Sequence, residues 1–441
     1  MQFNIKIKSK IADVIKKPFL RDVATVSAGS IIAQITAVAS APILTRLFLP
    51  DDFGILAVFV SSSAILAVIY TLQFDMAIVL PQNDMEARKL FVLSVKLSLW
   101  FLVILAILAS FVLIFPILEF VGFEEIPQYL PLLAVLGGFA IAIERSLNYW
   151  NIRHKLFQLI SIALAVAALL AAAFNITLGL FTTGVWILIL GSLLNHFVNI
   201  LIQMVYSKDR EVFKDYSSKV TDQIKPEKLF NEYSDFPKYR MPQSLLNTIG
   251  QNIPALLLVS LFNPAVGGFY ALAYRMVKMP GMLISEAVRK VFFQKSAELK
   301  NQKSGLYKSL LKTTLWLAAT GFIPFILLAL VSPTIFPFVF GDEWQSAGVY
   351  ASYLTLWMYA VFCNTPSAAV MPVLRQQKRY LIFNIISLIV RVLTIYLGAL
   401  TGGALEAIIY LSLAGLLYNL IIIVDVHIQA YRDEGLKTTE V

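Results

Sequence analysis

The sequence predicts an all-α integral membrane protein of about twelve transmembrane helices, arranged as two six-helix bundles. Three observations predict it. Of the 441 residues, 58% are hydrophobic and only 14% charged, with a mean hydropathy of +0.75. A soluble chain carries roughly a quarter charged residues, because its surface needs them. Apolar windows also recur along the whole chain. Each is long enough for a hydrocarbon layer about 30 Å thick, at a rise of about 1.5 Å per residue. Finally, lysine and arginine alternate between the connecting loops.

The windows fall at 22–45, 53–74, 90–117, 129–150, 157–175, 181–206, 239–262, 266–293, 307–331, 346–374, 379–399 and 404–428. The longest polar stretch, 207–238, divides the chain. The expected organisation is an N-terminal tail 1–21, a first bundle 22–206, a linker 207–238, a second bundle 239–428 and a C-terminal tail 429–441. A secretory signal is rejected, since the apolar run Val23–Leu49 is too long for a signal core and Pro42 would follow the cleavage site.

Basic residues set the orientation. The tail carries Lys6, Lys8, Lys10, Lys16, Lys17 and Arg21. Segment 207–240 carries eight more, among them Lys208, Arg210, Lys214, Lys219 and Lys225, and segment 289–312 begins with Arg289-Lys290. Arg46 alone falls in a loop on the opposite side. Positive loops face the cytoplasm, so both termini are expected there. The same placement explains the net charge of +9 without nucleic acid, which is not expected as a partner. Membrane lipids are. An even number of spans per half suggests a parallel repeat. Pro50-Asp51-Asp52-Phe53-Gly54 after the first span and Pro264-Ala265-Val266-Gly267-Gly268 after the seventh are its sequence trace.

Charges inside spans carry the chemistry, because each costs several kcal/mol unless it meets water, protein or a partner. The eighth span is richest. Arg275 and Lys278 share a face, and the stripe continues through Met282 and Glu286 to Arg289. Arg391 lies mid-way along the eleventh span, and Glu144 and Arg145 in the fourth. The functional reading is a wet cavity lined by Arg275, Lys278, Arg391 and Arg145, suited to an anionic substrate. The competing reading is that acids neutralise these cations between helices. Glu286 and Glu144 are candidates for ion coupling. Pro42, Pro254, Pro280, Pro324 and Pro366 are expected bending points. Trp100, Trp150, Trp344 and Trp357 are expected interface anchors. One cysteine and three scattered histidines form no metal motif. The sequence has no phosphate-binding Gly-Lys-Ser/Thr loop and no hydrolase elbow, so no cofactor or catalytic residue is assigned.

Three stretches in order resemble a known family. Thr45-Arg46-Leu47-Phe48-Leu49-Pro50-Asp51-Asp52-Phe53-Gly54 looks like the signature after the first helix of polysaccharide flippases, with Arg46, Pro50, Phe53 and Gly54 carrying it. Asp75-Met76-Ala77-Ile78-Val79-Leu80-Pro81 is similar to a second such stretch, and Gly268 to Arg275 with Pro280 resembles a third. These are the O-antigen and capsule flippases of the multidrug/oligosaccharidyl-lipid/polysaccharide exporter superfamily. The resemblance implies a V-shaped pair of six-helix bundles in a bacterial inner membrane. It implies translocation of an undecaprenyl-pyrophosphate-linked oligosaccharide from the cytoplasmic to the periplasmic leaflet, by alternating access through a cationic cavity. It also implies a polysaccharide polymerase and chain-length machinery as partners. A drug/ion antiporter of the same superfamily should favour an acidic cavity. A membrane-embedded polymerase or glycosyltransferase should carry a large catalytic outer loop, whereas the longest here, 332–345, offers only Asp342-Glu343.

Overall fold

The computed structural model describes residues 18–115, 117–120, 122–207, 226–302 and 305–438. Of the expected tail and linker, Lys6, Lys8, Lys10, Lys16, Lys17, Lys208, Arg210, Lys214, Lys219 and Lys225 lie outside the described residues. Among the described residues there are helices and turns but no strand. Twelve helices are long: α1 (Pro18–Leu47), α2 (Pro50–Tyr70), α3 (Asp84–Ile114), α4 (Leu130–Arg153), α5 (Phe157–Gly179), α6 (Val185–Tyr206), α7 (Met241–Leu261), α8 (Pro264–Asn301), α9 (Leu306–Phe340), α10 (Gln345–Cys363), α11 (Gln377–Thr401) and α12 (Ala404–Thr438). The chain is a multi-pass membrane protein.

Local signals explain several ends. The Asn83 side chain accepts the Met85 N–H at 2.9 Å and starts α3. Asn263 accepts the Val266 N–H at 3.0 Å and starts α8, with Pro264 in the first turn, where its missing N–H costs nothing. The single span expected over 346–374 is instead broken. α10 stops at Cys363, and a short helix Thr365–Val370 restarts with Pro366 in its first turn.

Ten helices are long and apolar enough to cross a membrane by length and composition, and α8 and α10 are the exceptions. α8 fails because it holds Arg275, Lys278, Glu286, Arg289 and Lys290. α10 is short and rich in serine, threonine and tyrosine. Ala347, Ala351 and Leu354 are fully buried, so protein rather than lipid surrounds much of α10.

The fold divides into two compact units. One comprises the described parts of Met1–Phe48, Phe59–Leu118 and Pro127–Leu245, and the other Leu49–Val58, Glu119–Ile126 and Leu246–Val441. The second unit therefore includes two short pieces that sequence alone assigns to the first bundle. In the first unit α1 packs on α5, α5 on α6, and α4 on both α3 and α6. In the second α10 packs on α8, α9 and α12, and α11 on α12.

The second unit also contains the two proline–glycine motifs side by side, in a reciprocal contact. A Cβ on Gly54 would overlap the Pro264 carbonyl, and a Cβ on Gly268 would overlap the Pro50 carbonyl. Each motif's glycine meets the other motif's proline, as two copies related by a twofold axis would. Glycine is required at both positions because backbone approaches backbone. Trp344 is fully buried against the Phe53 and Phe269 rings, with centroids at 5.0 and 5.9 Å. It is thus a core residue and not an interface anchor. The same correction applies to Trp150 and Trp357, both buried, while Trp100 is 72% exposed. Being near a helix end did not decide burial; the facing helix did.

Candidate functional site: a cationic cavity

A cavity of about 300 Å³ lies within the second unit, between α7, α8, α10, α11 and α12. Lys278 and Arg289 of α8 and Arg391 of α11 line it, and among the described residues no carboxylate does. The remaining polar wall is neutral: Asn247 and Gln251 from α7, Asn384 and Ser387 from α11, Asn419 from α12.

Two of the cations rest on an aromatic shelf. The Lys278 ammonium lies 5.2 Å from the Tyr274 ring centroid, one helical turn back on α8. The Tyr274 and Trp357 rings are 5.9 Å apart. The Arg391 guanidinium lies 5.0 Å from the Trp357 centroid. Ring faces hold a cation in place without cancelling its charge, which leaves it available to an anion. Arg391 also donates through one terminal nitrogen to the Gly250 carbonyl of α7. Its Nε is buried without a protein partner. Nearby acids are engaged elsewhere: Asp425 with Arg379 at 2.7 Å, Glu286 with Lys290 at 3.5 Å. The wall is set by amide pairing. Asn364, at the break after α10, donates to Asn419 of α12 at 2.9 Å, and the Tyr418 hydroxyl donates to Asn384 at 3.2 Å.

Of the residues singled out from sequence, Lys278 and Arg391 thus come together. Arg275 is exposed and lies outside this lining. Glu286 is likewise exposed. Arg289, Tyr274, Trp357 and Tyr418 complete the cavity but were not among the candidates. The signal for Arg289 was present, since it ends the same stripe as Lys278.

Arg145 departs from the cavity expectation. In the first unit its guanidinium lies 3.1 Å from Asp75, which is fully buried in the short helix Phe74–Ala77. Thr71 donates to the other Asp75 oxygen at 2.8 Å. Asp75, the first residue of the second family-like stretch, is a buried charge held by a cation from α4. Leu72 and Gln73, at φ of 47° and 65°, bend the backbone that delivers it. Asparagine, aspartate and histidine tolerate this region better than leucine or glutamine, so surrounding packing holds the strain. Arg153 anchors the same turn by donating to the Pro81 carbonyl at 2.6 Å and to Asp84 at 2.7 Å.

Glu144 faces α6 instead of Arg145. Its carboxylate is 2.6 Å from His196 Nδ1 and accepts from Asn199 at 3.1 Å. The polar ladder continues: the fully buried Gln203 donates to Asn199 at 2.5 Å and to Asn148 at 2.9 Å, and accepts from Asn151 at 2.8 Å. Both halves therefore join their fourth and sixth helices by side-chain amides, Asn148 to Gln203 in one and Asn364 to Asn419 in the other. The first half adds a titratable pair, Glu144 with His196.

Residues 43–349 match the model of a family described as polysaccharide biosynthesis protein. The chain belongs to that family. The resemblance read from the Arg46–Gly54 and Asp75–Pro81 stretches agrees with this. Among curated relatives, the teichuronic acid biosynthesis protein TuaB of Bacillus subtilis is 30% identical over 116 residues, which are 26% of this chain and 24% of that one. The lipopolysaccharide biosynthesis protein WzxC of Escherichia coli is 23% identical over 310 residues, 69% of this chain and 59% of that one. The chain thus spans about a quarter and three-fifths of their respective lengths. Among solved structures, an inward-facing multidrug resistance MATE transporter of the MOP superfamily superposes with a TM-score of 0.67 at 15% identity, covering 94% of this chain and 100% of that one. The lipid II flippase MurJ, in an inward closed conformation, gives 0.66 at 13%, covering 91% and 87%. At such identities the likeness is one of fold. This polysaccharide biosynthesis protein shares the fold of these transporters.

Proposed function

We propose that this protein is a flippase that carries a polyprenyl-pyrophosphate-linked oligosaccharide from the cytoplasmic to the outer leaflet of a bacterial cytoplasmic membrane. The single observation that carries the reading is the cavity holding Lys278, Arg289 and Arg391 with no carboxylate among its described lining residues. A pyrophosphate diester bears about two negative charges, and lysine and arginine are the side chains suited to phosphate oxygens. Outward movement of an anion from an inside-negative cell is favoured by about 2.3 kcal/mol per charge per 100 mV. A cationic drug needs the opposite wall, so the antiporter reading is not favoured. The family's biosynthetic description and the lipid II flippase fold support the choice of cargo. Both termini face the cytoplasm on the distribution of lysine and arginine. Ion coupling is assigned to Glu144 with His196, since Glu286 is exposed against Lys290. No catalytic step is assigned to the chain.

The test is deletion of the gene followed by analysis of lipid-linked glycans by leaflet. Accumulation of one undecaprenyl-pyrophosphate oligosaccharide in the inner leaflet, with loss of the surface polymer, supports the reading. An unchanged glycan pool with normal polymer overturns it.

A further inference from the structure

The fourth span of each half ends in the same turn, and in both the turn is built on a cation. At the end of α4 the Leu156 N–H donates to the Asn151 carbonyl at 2.9 Å, and the Lys155 N–H to the Ile152 carbonyl at 3.0 Å. In the second half, just beyond the short helix Thr365–Val370, the Gln376 N–H donates to the Met371 carbonyl at 3.2 Å, and the Arg375 N–H to the Pro372 carbonyl at 3.1 Å. Paired bonds of this kind close a helix by placing one residue in the left-handed region, and that residue is usually glycine. Here it is Lys155, at a φ of 57°, and Arg375, at 58°. A Cβ crowds the backbone in that region, whereas glycine has none. Glycine serves other positive-φ turns of this chain, at Gly122, Gly184, Gly305, Gly341 and Gly403. At matching places in the two halves, a cation thus stands where the backbone alone favours glycine.

The surroundings of the two side chains narrow the reason. Both are exposed, and neither forms an ion pair or a side-chain hydrogen bond among the described residues. Cations beside them are taken up by protein: Arg153 by Asp84 at 2.7 Å, and Arg379 by Asp425 at 2.7 Å. The residue three positions before each, Ile152 and Pro372, is apolar and exposed. An exposed apolar residue followed by an unengaged cation at the end of a span is the layout of the boundary between acyl chains and headgroups. We propose that Lys155 and Arg375 are a matched pair of phosphate contacts for anionic phospholipids, one at the inner end of each half. The placement in the inner leaflet rests on the orientation proposed above, and the lipid contact does not. The contact goes beyond the bias of basic loops toward the cytoplasm, which asks for charge anywhere in a loop and gives no reason to set it on a left-handed residue.

The test is melting of the full chain in neutral detergent micelles that carry an equal fraction of phosphatidylglycerol or of phosphatidylcholine. Phosphatidylglycerol is expected to raise the wild-type melting point above its value in phosphatidylcholine. Lys155→Gln and Arg375→Gln should each cut that rise by roughly 2–4 °C, the scale of one cation at an anionic surface, while Lys155→Arg and Arg375→Lys keep it. Lys290→Gln, at an exposed position on regular helix beside Glu286, should also keep it. Lys155→Gly and Arg375→Gly should lose the same rise yet melt about 2 °C above wild type in lipid-free detergent, because glycine relieves the backbone. No rise in wild type, a rise that either glutamine variant keeps in full, or an equal cut from Lys290→Gln overturns the proposal. Glycine variants that melt below wild type without lipid overturn the claim that the side chains are kept against a backbone cost. The pyrophosphate of the cargo is the other source of the same chemistry. A short-chain prenyl-pyrophosphate sugar in phosphatidylcholine micelles should shift wild type and both glutamine variants equally. A shift lost in the variants assigns the turns to cargo and overturns the lipid contact, whereas no shift in any of them counts against the flippase reading alone.

Discussion

Replacing Arg145 with alanine strands a charge that has no route to water. Asp75 is fully buried, and its two oxygens are treated differently: one accepts from Thr71 at 2.8 Å, the other meets only the Arg145 guanidinium at 3.1 Å. That second contact is an ion pair without an aligned hydrogen bond, so its compensation is mainly Coulombic. Breaking a buried pair on one side costs about 3–5 kcal/mol. Arg145 is itself 27% exposed, so water shares part of its stabilising field. We therefore expect a loss at the lower end, about 3 kcal/mol. For a unit of this size each kcal/mol moves the melting point by roughly 2–4 °C, which gives a fall of about 6–12 °C. The assay is tryptophan-fluorescence melting of the detergent-purified protein. Adding Asp75→Asn to Arg145→Ala removes the stranded charge and should recover most of the loss, since Thr71 can still donate to the amide oxygen. A single variant that melts with wild type, or a double variant less stable than Arg145→Ala alone, would refute the buried-pair account.

Other perturbations follow the same geometry. Gly54→Ala and Gly268→Ala each force two backbones apart, so each should cost at least about 1–3 kcal/mol; the double variant should cost less than the sum, because separation made for one methyl accommodates the other, and melting of all three against wild type checks this. Gln203→Leu removes three side-chain bonds at about 0.6 kcal/mol apiece in a bilayer setting, so about 2 kcal/mol should be lost in the same melt. Lys278→Gln should reduce vesicle flipping by about ten-fold or more, and Arg275→Gln by much less, because only the first residue lines the cavity.

Much of the architecture was legible before any coordinates. Hydrophobic length and basic loops gave twelve spans because the bilayer imposes one length and one charge rule on every segment. The break after Cys363 was legible only in part: Pro366 marked a bending point, but a bend within one span and a stop followed by a restart leave the same trace in sequence. At the site, Lys278 and Arg391 stood out because charge at depth is costly wherever it occurs. Their aromatic supports did not: Tyr274 and Trp357 read as ordinary span or interface residues until the packing of α8 against α10 places the rings together. Arg145 and Asp75 were both conspicuous, yet they were given separate roles. Seventy residues separate them, and their pairing depends on the left-handed turn at Leu72 and Gln73. Glu144 and His196 show the same limit across the α4–α6 interface.

The central claim is that Lys278 and Arg391 hold the anionic headgroup of the cargo. It is tested most directly by the affinity of a short-chain prenyl-pyrophosphate sugar for the protein in nanodiscs, compared among wild type, Lys278→Gln, Arg391→Gln and the charge-keeping Arg391→Lys. Each neutral variant is expected to weaken binding by roughly ten- to one-hundred-fold, with Arg391→Lys retaining part of the affinity. Binding of equal strength across wild type and both glutamine variants would contradict the account.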